Sequence, residues 1–120
     1  MDNMSLLEMR GVTKDFYGNQ VLKDINFSLK KGEILGLVGG DHSSPLGAIR
    51  ACSESVKGDY SIIHIDAHAD LRKAYQGFRH SHASIMRNVM ESSFAPKKLV
   101  QIGIRDYCPE ENDFIQSQPN

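Results

Sequence analysis

The chain has 120 residues, of which 40% are hydrophobic and 24% are charged, and its formal net charge is −1. This length fits one small domain, and the composition is that of a folded soluble protein, which excludes global disorder. The near-neutral charge argues against a dedicated nucleic-acid binder. Neither an apolar run long enough for a membrane span nor a signal-peptide pattern occurs. Because the two cysteines are too few for a disulfide framework, we expect a cytoplasmic protein.

The histidines divide the chain into two segments. All five lie between His42 and His82, and residues 1–39 have none. Acidic and basic residues are nearly balanced on both sides of this boundary, so the segments differ in chemistry rather than in net charge. We therefore predict an N-terminal segment over residues 1–39 and a different domain over residues 40–120.

The N-terminal segment has the pattern of β structure. Residues 5–10 are predicted to form a short strand, and residues 25–29 alternate between apolar and polar side chains as a half-buried strand does. A turn signal at residues 17–19 lies between them, which predicts a small antiparallel β segment. The unbroken apolar run at residues 34–38 predicts a further strand, buried on both faces.

The first 39 residues resemble the start of an ABC-transporter ATP-binding subunit, most closely of the sugar-importer type. The stretches that carry the likeness are residues 7–18, 21–29 and 31–39. The resemblance implies that Phe16 matches the aromatic residue that stacks on adenine, whereas simple packing on the β layer is the alternative. The phosphate loop that should follow reads Gly39-Gly40-Asp41-His42-Ser43-Ser44-Pro45 and has no lysine. Since such a loop should repel a triphosphate, the sequence argues against ATP binding.

The C-terminal segment has the alternation of strands and helices that is typical of a parallel sheet. Ser44-Pro45 is a helix-start signal followed by apolar residues at helical spacing, and Ser81 can cap a second helix. Strands are predicted at residues 60–65 and 99–104. With the run at residues 34–38, this order predicts an α/β fold with a short, three-strand parallel sheet and crossover helices.

Polar side chains follow each of the three predicted parallel strands. In chain order they are His42, then Asp66, His68 and Asp70, then Arg105-Asp106. Because ligands of such sheets bind beyond the carboxyl ends of the strands, we expect these side chains to gather at one edge. Carboxylates with imidazoles suit Mn²⁺, with Zn²⁺ or Fe²⁺ as alternatives, whereas a solvated polar loop would hold no metal.

These motifs resemble the ureohydrolase family, which includes arginase, agmatinase and formimidoylglutamase, and the likeness is nearest to agmatinase-like members. The matching stretches are residues 39–43, 63–70, 75–78, 81–84 and 101–106. The resemblance implies part of an arginase-like three-layer α/β/α fold and two Mn²⁺ ions. It also implies hydrolysis of a guanidino or formimino C–N bond in a small substrate, with release of urea or formamide.

The resemblance further implies roles for single residues. His42 and Asp70 match ligands of one Mn²⁺ ion, and His68 matches a ligand of the second. Asp66 matches the carboxylate that bridges both ions and thereby serves the activation of water. His82 matches the histidine proposed to pass a proton to the leaving amine.

Two further polar residues are expected to support the ligands rather than to bind metal. Asp41 would orient a ligand or its loop. His64 lies inside a predicted strand, where a hydrogen-bonded core histidine is the stronger interpretation. Both are therefore assigned to the surroundings of the metal site.

The family's third metal motif, Ser-x-Asp-x-Asp-x-x-Asp-Pro, does not occur in the sequence. The late carboxylates, in a polar segment predicted to start a helix, are Glu110, Glu111 and Asp113. Two Mn²⁺ ions carry four positive charges, of which Asp66 and Asp70 offset only two. We therefore expect at most one weakly bound ion, at His42, Asp66 and Asp70, and no activity from this chain alone.

Other functions are left open by the sequence. One is an ABC nucleotide-binding segment, and another is a non-catalytic metal-binding or interaction fragment. The chain looks like a chimera whose two parts meet at Gly39-Gly40. No nucleic-acid or membrane partner is expected, and assembly into a homo-oligomer is left open.

Overall fold

The structure is a computed structural model that describes residues 5–34, 36, 38–56 and 58–118, without the side chains of residues 6 and 16. The chain divides into two compact units, Met1–Leu37 and Val38–Asn120. None of the helices in the described ranges has the length and apolarity that crossing a bilayer requires.

The first unit is an antiparallel hairpin. Strands β1 (Ser5–Phe16) and β2 (Asn19–Lys30) pair along their length. Tyr17 and Gly18 form the turn, in which both have a positive φ, and the Asp15 Oδ1 atom accepts the Gly18 N–H at 2.8 Å. The predicted small antiparallel segment and its turn are thus confirmed.

The predicted adenine contact of Phe16 cannot be located. Its backbone pairs with Asn19 at the end of the hairpin. Its side chain, however, lies outside the described residues. Stacking on adenine therefore stays a prediction.

The prediction of a strand over residues 34–38 is wrong for the residues that the structure describes. Ile34, Gly36 and Val38 belong to no strand, and residues 35 and 37 of the predicted strand lie outside the described residues. Ile34 and Val38 are 96% and 99% exposed. An apolar run becomes a buried strand only when neighbouring strands pair with its backbone and cover its side chains, and the described positions have neither.

The second unit has the predicted alternation of strands and helices. Its elements are α1 (Leu46–Ser55), β3 (Ser61–Ile65), α2 (Ile85–Met90), β4 (Lys98–Ile102) and α3 (Pro109–Ser117). A single 3₁₀ turn, His82–Ser84, leads into α2. Each predicted element of this segment is confirmed to within a few residues.

The sheet of the second unit pairs β3 with β4 in parallel, with Ser61 opposite Lys98 and Ile65 opposite Ile102. The predicted parallel α/β class is confirmed, but the described sheet has two strands rather than three. The loops that follow the two strands are also hydrogen-bonded to each other. Arg105 N–H, after β4, donates to Ala67 O, after β3, at 2.8 Å. The polar residues that follow both strands therefore share one edge, as predicted.

The hydrophobic core lies between this sheet and α2. Its buried members are Ala69, Leu71, Ile85, Met86 and Val89. Partly buried apolar residues from α1, β3, β4 and α3 pack against them. Ala69 and Leu71 belong to the loop that carries the aspartates, so packing of the core fixes that loop directly.

Candidate metal centre

Four side chains converge at the carboxyl end of β3. Ligand atoms of His42, His64, Asp66 and Asp70 all lie within 4.8 Å of one another. The shortest approach is 2.7 Å, between His42 Nδ1 and Asp70 Oδ2. His42 Nδ1 also lies 3.5 Å from Asp66 Oδ2. Two carboxylates and an imidazole thus face a common point.

The two carboxylate oxygens of Asp66 face different imidazoles. Oδ2 faces His42 and His64, each at 3.5 Å. Oδ1 lies 3.3 Å from His68 Nδ1 and accepts the His68 backbone N–H at 2.8 Å. A carboxylate in this position could serve as a metal ligand.

The backbone around Asp70 is held in an unusual conformation. Asp70 has a φ of 54°, in the left-handed region that is uncommon for a residue other than glycine. Its carbonyl oxygen accepts the N–H groups of Met86 and Arg87 at 3.0 and 3.2 Å. These belong to the first turn of α2, where N–H groups have no partner within the helix. The tight turn at Asp70 is therefore stabilised by the end of α2.

A buried carboxylate from α3 holds the next residue of the loop. Glu111, 3% exposed, accepts the Leu71 N–H through Oε1 at 2.8 Å and the Cys108 N–H through Oε2 at 2.8 Å. Arg72 Nε lies 3.5 Å from Oε2 and offsets its charge. The aspartate loop is thus anchored to α2 on one side and to α3 on the other.

The environment shifts the pKa values of both aspartates, in opposite directions. Burial raises the pKa of Asp70, and the adjacent His42 opposes this only in part. Burial also acts to raise the pKa of Asp66, but the His68 N–H and the neighbouring imidazoles outweigh it and lower that pKa. Burial lowers the pKa of His64, so its neutral form is favoured. A cation would relieve the cost of a second buried carboxylate charge.

His64 borders this cluster, with its Nε2 atom 3.5 Å from Asp66 Oδ2. Its side chain is 5% exposed, and its Nε2 atom is buried without a hydrogen-bond partner in the described part of the chain. Its ring stacks on that of His42 with 5.2 Å between centroids. The sequence indicated a buried histidine here but gave no sign that its nitrogen would join the cluster.

The other predicted site residues surround the cluster without joining it. His68 is exposed and forms an isolated parallel bridge with Asp106. His82 contacts Tyr75 edge-on, and its Nδ1 atom lies 3.6 Å from Asp41 Oδ2. Asp41 accepts hydrogen bonds from the backbone and hydroxyl of Ser43, which lower its pKa. Asp41 therefore orients its own loop and faces His82.

A cavity of about 380 Å³ opens beside these residues. Its lining includes the predicted ligands together with His82, Tyr75, Arg72 and Tyr107. The volume is in the range of small-molecule sites. The cavity therefore borders both the aspartates and His82.

Two residues that support the site were not assigned a role from the sequence. Glu111 is the third helical residue after Cys108 at the start of α3, a position where glutamate bonds back to the helix start. That spacing is a usable sequence signal. Gln101 lies in β4 and contacts His64 from the neighbouring strand. Its role depends on strand register, which the sequence alone did not fix.

The donor set suits a divalent cation. Imidazole nitrogen with two carboxylates is chemistry that Mn²⁺ accepts, and soft, thiolate-preferring metals are disfavoured because neither cysteine belongs to the cluster. A cation would also offset the repulsion between Asp66 and Asp70. The side chains present therefore fit an ion at His42, Asp66 and Asp70.

Comparison with known proteins gives consistent matches. The chain matches the arginase family over residues 6–119. It is 41% identical over 90 residues to an uncharacterized 32.2 kDa protein of Methanothermus fervidus, covering 75% of this chain and 30% of that protein. It is 38% identical over 101 residues to the mitochondrial arginase 1 of Oryza sativa subsp. indica, covering 83% and 29%.

Solved structures agree with the sequence matches. Arginase from Medicago truncatula superposes with a TM-score of 0.60 at 40% identity, covering 65% of this chain and 24% of that one. The chain thus spans less than a third of the length of these relatives. With a family match across nearly all of its residues and the aspartate–histidine cluster in place, the chain belongs to the arginase family of ureohydrolases.

Proposed function

We propose that this chain carries one half of the metal centre of a Mn²⁺-dependent ureohydrolase, which hydrolyses the C–N bond of a guanidino or formimino compound. The observation that carries the proposal is the convergence of His42 Nδ1, Asp66 Oδ2 and Asp70 Oδ2 beside a substrate-sized cavity. Guanidino chemistry is supported by relatives named as arginases and as an N(1)-aminopropylagmatine ureohydrolase.

His42, Asp66 and Asp70 would hold the first ion, and His68 would contribute to a second one. A divalent ion there supplies Lewis acidity and lowers the pKa of the water that it contacts. The residues of this chain would hold the reacting groups in position beside the ion. The Asp66 carboxylate offers one oxygen to each side, and its low pKa keeps it ionised.

His82 is the residue that would hand a proton to the leaving amine. It lines the cavity, and its ring is held between Tyr75 and Asp41. The Asp41 carboxylate lies 3.6 Å from Nδ1 and can orient the imidazole ring. This arrangement supports a general acid on the substrate side of the site.

The residues of this chain complete only the first metal position. Asp66 and Asp70 supply two negative charges, whereas two Mn²⁺ ions carry four positive ones. Calorimetric titration of the chain with Mn²⁺ should show one weak site. Two tight sites per chain would contradict the proposal.

Asp70→Asn should abolish Mn²⁺ binding, because it removes a ligand charge while asparagine tolerates the positive φ at this position. The matched control is Asp113→Asn, at an exposed position in α3. Equal Mn²⁺ affinity in the two variants would show that the cluster is not the binding site.

Turnover tests the second part of the proposal. The chain alone should release no urea from agmatine. Supplied with a polypeptide that carries the Ser-x-Asp-x-Asp motif of a relative, it should do so, and Asp66→Asn should abolish the release. A complemented protein that binds two Mn²⁺ ions but hydrolyses no guanidino compound would refute the assignment.

We also propose that residues 1–39 derive from a separate, ABC-like source, with the ureohydrolase part over residues 40–120. The support is the sequence resemblance and the division of the chain into units between Leu37 and Val38, although the arginase-family match itself begins at residue 6. We expect no ATP binding. Measurable ATP binding that is lost in Phe16→Ala would show instead that the hairpin retains an adenine site.

A further inference from the structure

Gln101 joins His64 to the aspartate loop. Its carboxamide Nε2 atom lies 2.8 Å from the carbonyl oxygen of Ala69 and 2.9 Å from Nδ1 of His64. Ala69 immediately precedes Asp70 and is fully buried. Gln101 in β4 thus contacts both His64 in β3 and the loop that carries Asp66 and Asp70.

The carboxamide orientation is fixed by the Ala69 carbonyl. A carbonyl oxygen only accepts, so the Gln101 atom facing it must be the NH₂ group. The reversed orientation would bring two acceptor oxygens to 2.8 Å of each other in a partly buried place. The NH₂ group has two hydrogens, and the second is directed at His64 Nδ1.

The hydrogen bond that Gln101 donates determines which nitrogen of His64 carries the proton. Nδ1 accepts a hydrogen bond and therefore has a free lone pair. In the neutral ring the proton then lies on Nε2, the atom that faces Asp66 Oδ2 at 3.5 Å. A protonated Nε2 has no lone pair to offer a metal ion.

We propose that Gln101 holds His64 as its Nε2–H tautomer, so that His64 acts as a positioning residue that donates to Asp66 and is not a metal ligand. This inference rests on the proposed function for its consequence, since Asp66 is the proposed bridging carboxylate. The Asp66 oxygen that would accept this hydrogen bond is Oδ2, which also faces His42. Of the four clustered side chains, three would bind the ion and the fourth would orient the carboxylate.

Among the described residues the buried Nε2 atom of His64 has no hydrogen-bond partner, and in this tautomer it would carry a hydrogen that faces Asp66. A small rotation of the Asp66 carboxylate would bring Oδ2 from 3.5 Å to hydrogen-bond distance. Stacking of His42 on the His64 ring limits the movement of the ring itself. The Nε2–H group would therefore be directed at Asp66 Oδ2.

The direct test is nitrogen NMR of the whole chain labelled with ¹⁵N-histidine, without metal. Two-bond ¹⁵N–¹H correlations separate the two neutral tautomers. We expect His64 to have an unprotonated Nδ1 and a protonated Nε2. A protonated Nδ1 in the wild-type chain would overturn the inference, whether or not Mn²⁺ binds.

Gln101→Glu tests whether Gln101 sets the tautomer. A carboxylate at this position accepts rather than donates, so His64 Nδ1 should become protonated. If Nδ1 stays unprotonated in this variant, Gln101 does not control the ring, and the inference fails.

Gln101→Leu tests the consequence for metal binding. Loss of a group that orients a ligand typically weakens metal affinity by about 10–100-fold, and we expect a change of that size for Mn²⁺. Gln116→Leu, at an exposed position in α3, is the matched control and should bind like wild type. Unchanged affinity in Gln101→Leu would remove the positioning role. Absent Mn²⁺ binding in the wild-type chain would instead refute the proposed function and leave the NMR result valid.

Discussion

Substitution of Glu111 tests how the loop that carries Asp66 and Asp70 is held in place. Its carboxylate is 3% exposed and accepts the N–H groups of Leu71 and Cys108, both at 2.8 Å. Glu111→Ala removes both acceptors. Because Leu71 is itself only 2% exposed, water cannot readily replace the lost partner of its N–H group.

The expected loss of stability follows from these two bonds. A hydrogen bond to a charged group contributes about 1.5–3 kcal/mol, so the pair should contribute about 3–6 kcal/mol. A domain has a total stability of about 5–15 kcal/mol, so Glu111→Ala removes a large part of it. Glu111→Gln keeps one acceptor oxygen, and we expect it to lose about 1–3 kcal/mol.

Urea denaturation followed by circular dichroism measures this loss, and Glu110→Gln is the matched control. Glu110 is exposed and accepts the Lys73 N–H at the long distance of 3.4 Å, so its change should stay within about 0.5 kcal/mol. The folded Glu111→Gln variant should also bind Mn²⁺ more weakly, since Leu71 follows Asp70. If Glu111→Gln and Glu110→Gln lower the free energy of unfolding equally, the proposed role of Glu111 is refuted.

Two further changes address the same site. Gly103 has a φ of 86°, and a Cβ there would lie 3.2 Å from the Asp66 carbonyl oxygen. Gly103→Ala should therefore lower the free energy of unfolding by about 1–3 kcal/mol, measured by urea titration. Burial lowers the pKa of His64 below its ordinary value, so the unfolded chain takes up this proton at a higher pH than the folded one. Stability should fall as the pH drops below about 6.5, and His64→Gln should flatten this dependence in pH-dependent melting curves without metal.

Each of these predictions has a matched control. Gly47 lies in α1 with open space around it, so Gly47→Ala should stabilise by about 0.5–1 kcal/mol. A stabilising effect of Gly103→Ala would show that its backbone conformation is not required. His80 is exposed, and His80→Gln is the matched control for His64→Gln. An unaltered profile in His64→Gln would show that burial of this ring does not couple folding to proton uptake.

Much of the fold follows from local patterns in the sequence. Alternation and turn residues predicted the hairpin, and helical spacing predicted α1 and α2. These patterns are local because the period of side-chain burial depends only on the backbone geometry of one element. The apolar run at residues 34–38 shows the limit, since a buried strand and an exposed apolar segment have the same composition, and only the presence of neighbouring strands distinguishes them.

The clustering of the proposed metal ligands was also predictable in part. Asp66, His68 and Asp70 follow a predicted strand at alternate positions. His42 was placed at the same edge because it follows residues 34–38, but the described positions of that run form no strand, so the reason for its placement was wrong. The supporting contacts were less accessible to prediction. Glu111 reaches Leu71 from forty residues away in sequence, and Gln101 meets His64 through the parallel register of two strands.

The sequence by itself therefore determined the type of chemistry: carboxylates and imidazoles, spaced for a divalent ion, after the strands of a parallel sheet. The tertiary structure decided which atoms face one another. It turned one oxygen of Asp66 to His42 and the other to His68, and it buried His64 beside them. The physical reason is that residue type sets which ligands are available, whereas distances between atoms far apart in sequence depend on strand pairing and core packing.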